Sequence, residues 1–126
     1  MFEVGKYYAS GEYTEKNWQK SVYWYEQAIA NNHHRAMLYL GRVLLKDNEE
    51  RKSDIPRAMQ LIEQAASAGD AEAQFQLGQL FESGKPFGKD TPSAIRWYRA
   101  ASLQKYPGAK KALQRSIDAF IKRPIH

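Results

Sequence analysis

The feature that most constrains this chain is an internal repeat of 36 or 37 residues. Glycine recurs at that spacing, as Gly5, Gly41 and Gly78. Four more columns keep the same register: Ser21, Ala58 and Ala94; Trp24-Tyr25, Leu61-Ile62 and Trp97-Tyr98; Ala28, Ala65 and Ala101; Ala36, Ala73 and Ala109. Five columns in register are not a chance match. A period of this length is typical of a solenoid, in which each repeat buries its apolar face against the next one.

Each repeat predicts two helices, which we name helix A and helix B. Helix A carries small and apolar residues at the i, i+4, i+5 and i+8 positions of one helical face, as in Ala36, Leu40, Gly41 and Leu44. A glycine inside a helix costs about 1 kcal/mol relative to alanine. Its recurrence at one position therefore predicts a close approach of two helices and not a break.

The start of helix B is marked three times by a residue that accepts hydrogen bonds from the first helical turn. These residues are Asn17, Asp54 and Asp90. Pro56 and Pro92 suit the same turn, because proline lacks the N–H group that would stay unpaired there.

The end of helix B is marked by Asn32 and Gly69, two residue types that accept the left-handed conformation. The third repeat has Lys105 in this column. We therefore expect Pro107-Gly108 to end its helix B instead.

A seventh helix is expected over about Ala109–Ile121. Its apolar stripe contains Ala109, Ala112, Leu113, Ser116, Ile117 and Phe120, and its other side carries Lys110, Lys111, Arg115, Asp118 and Lys122. One apolar and one charged face suit a terminal cap. The sequence thus predicts one all-α domain over residues 1–126, a solenoid of three helix-pair repeats (about 2–34, 35–70 and 71–106) with a capping helix at about 107–122.

Composition narrows the function classes. The chain has no cysteine, so disulfides, thiol catalysis and Cys-ligated metals are excluded. No apolar run reaches the roughly 20 residues of a membrane span, and the first residues lack a signal-peptide layout. We expect a cytoplasmic protein, or a periplasmic one if the chain has been cut from a longer precursor. Residues 1–63 hold 9 basic and 9 acidic residues, whereas residues 64–126 hold 10 and 5.

The third repeat carries the most complete motif: Ala73, Phe75, Leu77, Gly78, Phe81, Gly84, Asp90, Ala94, Trp97, Tyr98, Ala100, Ala101 and Ala109. This pattern resembles the Sel-one-like repeat, a relative of the tetratricopeptide repeat, and the resemblance covers about residues 2–109. It implies a right-handed helical superhelix that acts as an adaptor or scaffold, as similar proteins do in bacterial signalling, envelope and secretion systems and in eukaryotic protein quality control. The family has no shared catalytic residue, so an enzyme is not expected, and no cofactor or metal is implied.

Three local motifs could suggest chemistry, and each has a simpler interpretation. The Gly84–Asp90 segment has the wrong glycine spacing for a phosphate-binding loop and fits the turn between helices A and B. His33-His34 has no third ligand arranged with it, so a metal site is not expected. The aromatic pairs of helix B are expected to pack between helices, with Tyr23 exposed.

The predicted binding face comes from the resemblance, which implies that helix A lines the concave surface of the superhelix. Its outward positions lie two residues before, one after and five after each repeat glycine, on one stripe of the helix. They are Glu3, Lys6 and Ser10; Tyr39, Arg42 and Lys46; and Gln76, Gln79 and Ser83. The residues predicted to bind a partner are Lys6, Tyr39, Arg42, Lys46, Gln76 and Gln79.

The function predicted from these features is that of an adaptor that binds an acidic or polar segment of a partner protein. The alternative is polyanion or nucleic-acid binding through the basic second half, with Lys110, Lys111, Arg115, Lys122 and Arg123, although the charge is less clustered than nucleic-acid binders require. Dimerisation through an uncovered repeat end is a further expectation, since Phe2, Val4, Tyr7 and Tyr8 have no preceding repeat over them.

Overall fold

The computed structural model describes residues 2–10, 18–45, 54–85 and 88–122, and these residues form seven α-helices and no β-strand. The helices are α1 (Phe2–Ser10), α2 (Trp18–Ala30), α3 (Arg35–Leu45), α4 (Ile55–Ser67), α5 (Ala71–Ser83), α6 (Thr91–Leu103) and α7 (Ala109–Ile121). Helices α1, α3 and α5 are the predicted A helices, and α2, α4 and α6 are the predicted B helices. The all-α repeat fold predicted from the sequence is confirmed.

The helices form two compact units, Met1–Ala68 and Gly69–His126. In the first unit α1 packs on α2, α2 on α3 and α3 on α4. Its core includes Tyr25, Leu40 and Ile62, each at most 1% exposed. In the second unit α5 packs on α6 and α6 on α7, around the fully buried ring of Tyr98.

The repeat glycines lie directly against a large side chain of helix B. A methyl group at Gly78 would lie 2.6 Å from Cδ1 of Tyr98, and one at Gly5 would lie 2.7 Å from Cδ1 of Tyr25. At Gly41 the neighbour is Ile62 Cγ1, at 2.5 Å. Non-bonded carbon atoms normally stay 3.5–4.0 Å apart, so only glycine fits. The close approach predicted for this column is confirmed.

The three B helices end in the same left-handed conformation. The φ angle is 65° at Asn32, 103° at Gly69 and 60° at Lys105. The expectation that Pro107-Gly108 ends the third helix B was wrong, because α6 already ends at Leu103 and Lys105 adopts the left-handed conformation itself. A non-glycine residue pays about 1 kcal/mol for that conformation.

Backbone hydrogen bonds explain why Lys105 adopts it. The Tyr106 amide donates to the Ala101 carbonyl at 3.1 Å, and in the first repeat the His33 amide donates to the Ala28 carbonyl at 2.9 Å. These bonds close the same type of helix end in both repeats. These backbone bonds fix the conformation of the turn, and Lys105 adopts the left-handed conformation although its residue type does not favour it.

The predicted N-caps of helix B are confirmed at one position and wrong at another. The Asp90 carboxylate accepts the Ser93 hydroxyl at 2.8 Å and the Ser93 amide at 3.1 Å, and both bonds lower the pKa of Asp90. Asp54 makes no capping bond to the described residues, because its backbone is helical (φ −86°, ψ −6°) instead of extended. Asn17 lies outside the described residues.

The terminal helix α7 spans Ala109–Ile121, as predicted. Ala109, Ala112 and Ser116 are buried, and the charged side is exposed. The side chain of Phe120, at the end of the predicted apolar stripe, is 44% exposed. It lies one turn beyond Ser116, which is the last buried residue of α7.

A hydrogen-bonded ion pair links all three helices of the second unit. Arg115 on α7 donates from Nε and Nη2 to the two oxygens of Glu82 on α5, both at 2.7 Å. The Tyr98 hydroxyl on α6 donates to Glu82 Oε1 at 2.7 Å. The Arg115 contact lowers the pKa of Glu82, while burial, followed by the bond to Glu82, raises the pKa of Tyr98.

We predict that Gly78→Ala destabilises the protein by about 1–3 kcal/mol, the typical cost of inserting a methyl group into a packed core. The Tyr98 ring cannot move away easily because its hydroxyl is held by Glu82. In an exposed helix the same substitution would stabilise the protein by about 1 kcal/mol. The sign of the change in unfolding free energy therefore shows whether Gly78 is tightly packed. Urea unfolding measures the effect, with Gln79→Ala on the exposed side of α5 as control. A stabilised Gly78→Ala variant would show that the contact is not tight.

We predict that Arg115→Gln lowers the free energy of unfolding by about 0.5–1 kcal/mol at neutral pH, the range of a partly exposed ion pair. Because Arg115 lowers the pKa of Glu82, this stabilisation is present above the ordinary glutamate pKa of about 4.3 and is lost as the pH falls through the lower folded-state value. The difference in unfolding free energy between Arg115→Gln and the wild type should therefore become smaller in acid. Unfolding at several pH values, with the exposed Lys111→Gln as control, measures it. A difference that stays constant with pH contradicts the assignment.

Candidate functional site

Helix α3 has one narrow outward stripe. Its buried residues are Ala36, Leu38, Leu40, Gly41, Val43 and Leu44, so most of its circumference packs into the first unit. Arg35, Tyr39 and Arg42 occupy the remaining stripe at positions i, i+4 and i+7. The amphipathic spacing of α3 thus directs two cations and one aromatic ring outward together.

Helix α1 adds two side chains to this stripe. Phe2 and Lys6 are one helical turn apart, and the Phe2 ring meets the Tyr39 ring edge-on with centroids 4.9 Å apart. Lys6 Nζ lies 5.4 Å from the Phe2 centroid and 5.6 Å from the Tyr39 centroid. The two helices therefore share one surface.

Three cations converge on the Tyr39 ring. Arg42 Cζ lies 5.2 Å from the ring centroid, Arg35 Cζ lies 5.6 Å away, and Lys6 Nζ lies at 5.6 Å. These distances are within the range of cation–π attraction. We name Phe2, Lys6, Arg35, Tyr39 and Arg42 the Tyr39 cluster.

Both aromatic and polar side chains border the Tyr39 cluster. The buried Tyr25 ring lies 6.1 Å from Tyr39, and burial raises the pKa of Tyr25 to about 12, so it stays neutral. Glu3 Oε1 approaches Lys6 Nζ to 3.9 Å, but its side chain is 82% exposed. His33 stacks on Phe2 with centroids 4.3 Å apart. The arrangement can attract an anionic group and pack against an apolar one.

The predicted binding residues divide between the two units. Lys6, Tyr39 and Arg42 come together in the Tyr39 cluster. Gln76 and Gln79 lie on α5 in the second unit, where Gln76 is half-buried and Gln79 exposed. Lys46, together with the side chain of Ser10, lies outside the described residues.

Two residues of the Tyr39 cluster were missed in the sequence. Arg35 precedes Tyr39 by four residues, and Phe2 precedes Lys6 by four, so both share a face with a predicted residue. The three predicted offsets from each repeat glycine do not include these two positions. The helical spacing of α3 indicates Arg35 beside Tyr39, and that of α1 indicates Phe2 beside Lys6.

The Gly84–Asp90 motif has a structural role. Gly84 ends α5 with φ 88°, and the Asp90 amide donates to the Phe81 carbonyl at 3.0 Å, so the described part of the Gly84–Asp90 segment is a turn between helices. In the described residues no group of three or more His, Cys, Asp or Glu side chains could hold a metal ion.

In each aromatic pair of helix B, one residue is buried between helices as predicted. Tyr25 and Tyr98 are at most 1% exposed, while Trp24 and Trp97 are half-buried. Tyr23 is 53% exposed, which confirms its predicted exposure.

The basic second unit contains a cavity of about 490 Å³ at the turn between α6 and α7. It is lined by Ser102, Lys105, Tyr106, Gly108, Lys110 and Lys111. Arg115 is engaged by Glu82, and Arg123 lies outside the described residues. The alternative function, polyanion binding, would therefore depend mainly on the lysines of this cavity.

The paired helices, their repeat glycines and the terminal helix define an α-helical repeat protein. The family model described as Sel1 repeat matches residues 1–33, 34–70 and 71–106. The chain therefore belongs to the Sel1 repeat family, as its resemblance to Sel-one-like repeats indicated. Sel1 repeats are non-catalytic scaffolds that generally mediate protein–protein interactions.

Two solved structures have similar folds. The Sel1 repeat protein from Oxalobacter formigenes superposes with a TM-score of 0.74 at 28% identity, over 88% of this chain and 44% of that one. The protein c5321, a protective antigen present in uropathogenic Escherichia coli strains and displaying an SLR fold, gives a TM-score of 0.75 at 24% identity, over 98% of this chain and 26% of that one. At this lower identity the likeness concerns the fold alone.

A curated relative is Chitin synthase regulatory factor 3 from Schizosaccharomyces pombe. It is 32% identical in an alignment of 104 residues that covers 76% of this chain and 10% of that protein. The chain thus spans about a tenth of this relative and less than half of either similar structure.

Among the residues that the structure describes, no helix is both long and apolar enough to cross a membrane.

Proposed function

We propose that this chain is an adaptor that binds a segment of a partner protein through outward residues of its A helices and catalyses no reaction itself. In the first unit these residues are Lys6, Tyr39 and Arg42; in the second unit, taken by itself, Gln76 and Gln79 hold the equivalent positions on α5. The observation that carries the proposal is the convergence of Lys6 and Arg42 on Tyr39, at 5.6 and 5.2 Å from its ring centroid. Membership of a family of interaction scaffolds supports it.

The groups with shifted pKa values support a non-catalytic role. Tyr25 and Tyr98 are shifted first by burial within helix pairs, Glu82 and Arg115 by their ion pair, and Asp90 by its capping bonds. None of these five residues lines the cavity at the α6–α7 turn. Catalytic groups are instead expected to combine a shifted pKa with a cleft.

The partner segment combines apolar and polar contacts in this proposal. Tyr39 and Phe2 are half-buried and offer ring surface, while the exposed Lys6 offers charge. A half-exposed tyrosine beside an arginine is the composition found at energetically dominant points of protein interfaces. We expect most of the binding free energy of the first unit to come from this point.

The competing function is polyanion binding at the α6–α7 cavity, which the lysines at positions 105, 110 and 111 favour. Such binding would weaken steeply with added salt, because it releases counterions. It would also respond to Lys110→Gln and Lys111→Gln and not to Tyr39 substitutions. Dimerisation through α1 also stays a prediction, with Val4 and Tyr7 exposing 37% and 38% of their area.

We predict that Tyr39→Ser reduces capture of the partner about tenfold, which corresponds to a loss of about 1.4 kcal/mol at an interface hot spot. The tagged chain is incubated with a lysate of the source organism at about 150 mM salt, where charges beyond about 8 Å are screened, and bound proteins are quantified by mass spectrometry. Tyr23→Ser is the matched control, since Tyr23 is an exposed tyrosine of the same unit.

Equal retention of every captured protein by wild type, Tyr39→Ser and Tyr23→Ser would refute binding through this face. Circular dichroism of each variant confirms that its helices remain folded. A partner that is lost only from the Lys110→Gln, Lys111→Gln double variant would move the function to the α6–α7 cavity.

A further inference from the structure

The cavity at the α6–α7 turn carries three lysines and no acidic residue among the described residues that line it. Lys105 lies in the turn, and Lys110 and Lys111 lie in the first helical turn of α7. All three side chains are exposed. Within the described ranges, none of their ammonium groups is paired with a carboxylate. The fold therefore does not use the positive charge of this cavity.

The three lysines belong to the third repeat alone. At the spacing of the repeat, the positions of Lys105, Lys110 and Lys111 correspond to Gly69, Gln74 and Phe75 in the second repeat and to Asn32, Met37 and Leu38 in the first. None of these equivalent residues is charged. The packing that the repeats share therefore requires no cation at any of the three positions.

Lys105 is unfavourable for the backbone at its position. Its φ angle is 60°, and the equivalent residues are Asn32 and Gly69, two residue types that adopt the left-handed conformation readily. Glycine would fit this turn better than lysine does. Residues kept in such conformations cluster at active sites and ligand clamps. The lysine side chain, which lines the cavity, is what position 105 gains in exchange.

The cavity also has the size and the mixed lining of a small-molecule site. Its volume of about 490 Å³ lies within the range of such sites, roughly 300–1,000 Å³. Tyr106 belongs to the lining, and its ring packs on the Phe75 ring with centroids 5.0 Å apart. Ser102 adds a hydroxyl-bearing side chain. The lining thus combines charge for an anion with an aromatic ring for an apolar group.

We infer that the α6–α7 cavity binds a small organic phosphate, a phosphate monoester with an apolar or aromatic organic part. Lys105, Lys110 and Lys111 donate hydrogen bonds to the phosphate oxygens, and the Tyr106 ring packs against the organic part. Lysine binds phosphate as a point charge, and three lysines exceed the charge of about −1.5 to −2 on a monoester at neutral pH. The site includes none of the proposed partner-binding residues.

The compactness of the site favours a small ligand over a nucleic acid. Nucleic-acid binding uses a continuous stripe or patch of basic residues. Beyond the cavity the charge of Arg115 is compensated by Glu82, at 2.7 Å. Lys122 lies at the other end of α7, about 16 Å from Lys111 along the helix axis. The described cations of α7 therefore do not form a continuous stripe.

The test uses phenyl phosphate, which joins one phosphate group to one aromatic ring, and inorganic phosphate and phenol as partial ligands. Each is titrated into the isotope-labelled full chain at about 150 mM salt, and the backbone amide shifts are followed by NMR. We expect phenyl phosphate to give saturable shifts within residues 102–111. Its Kd should be about fivefold lower than that of inorganic phosphate, because the ring adds one aromatic contact. Phenol should give no saturable shift.

Three variants separate recognition from net charge and from misfolding. Lys111→Gln should weaken phenyl phosphate binding about tenfold, the effect of losing one charge-assisted hydrogen bond. Lys122→Gln removes the same charge at the other end of α7 and should leave the affinity within about twofold. Lys105→Gly should also weaken binding about tenfold. Its urea midpoint should not fall, because glycine relieves the strain of the left-handed backbone.

Four outcomes overturn the inference. The first is an equal loss in Lys111→Gln and Lys122→Gln, because binding would then follow net charge alone. The second is the absence of saturable shifts at millimolar phenyl phosphate, and the third is equal affinity for phenyl phosphate and inorganic phosphate. The fourth is tighter binding of a short single-stranded oligonucleotide with a steep salt dependence, which assigns the cavity to polyanions. Capture through Tyr39 is unaffected by any of them, so the adaptor function is tested separately.

Discussion

Contact between a helix A glycine and a large helix B side chain sets the distance between the two helices of each repeat. Gly5 lies on Tyr25, Gly41 on Ile62 and Gly78 on Tyr98, and in each case a methyl group would come within 2.5–2.7 Å of the partner. The rest of the pair depends on this approach. It brings Ser21 Oγ within 3.1 Å of the Gly5 carbonyl, and it allows the Tyr98 hydroxyl to reach Glu82.

The same contact determines which side chains face outward. Because each glycine must point at helix B, the residue after it is rotated by about 100° around helix A. Lys6 follows Gly5 and Arg42 follows Gly41, and both contribute to the Tyr39 cluster. The packing of the core therefore places two cations on the outer face without any requirement from binding. Packing fixes the direction of these two positions but not which residue types occupy them.

Sequence columns predicted what depends on repeated packing, namely seven helices, the close glycine contacts and the span of α7. They failed where a local preference competes with packing. Lys105 has a side chain poorly suited to its left-handed conformation, yet the bond from Tyr106 to Ala101 imposes it. Asp54 is a good capping residue by type, but its helical backbone prevents the capping bond. Arg35 and Phe2 share a helical face with Tyr39 and Lys6 respectively, but only the contact between α1 and α3 brings all four side chains together.

The outer face differs between repeats, whereas the glycine column (Gly5, Gly41 and Gly78) does not. The position after the repeat glycine is Lys6, Arg42 or Gln79, and the position two before it is Glu3, Tyr39 or Gln76. Because the glycine column alone sets the helix separation, these substitutions change surface chemistry at almost no cost in packing. Under the proposed function, specificity therefore lies in positions that the repeat pattern leaves variable. In the first unit these positions carry charge beside an aromatic ring, and in the second they carry amides.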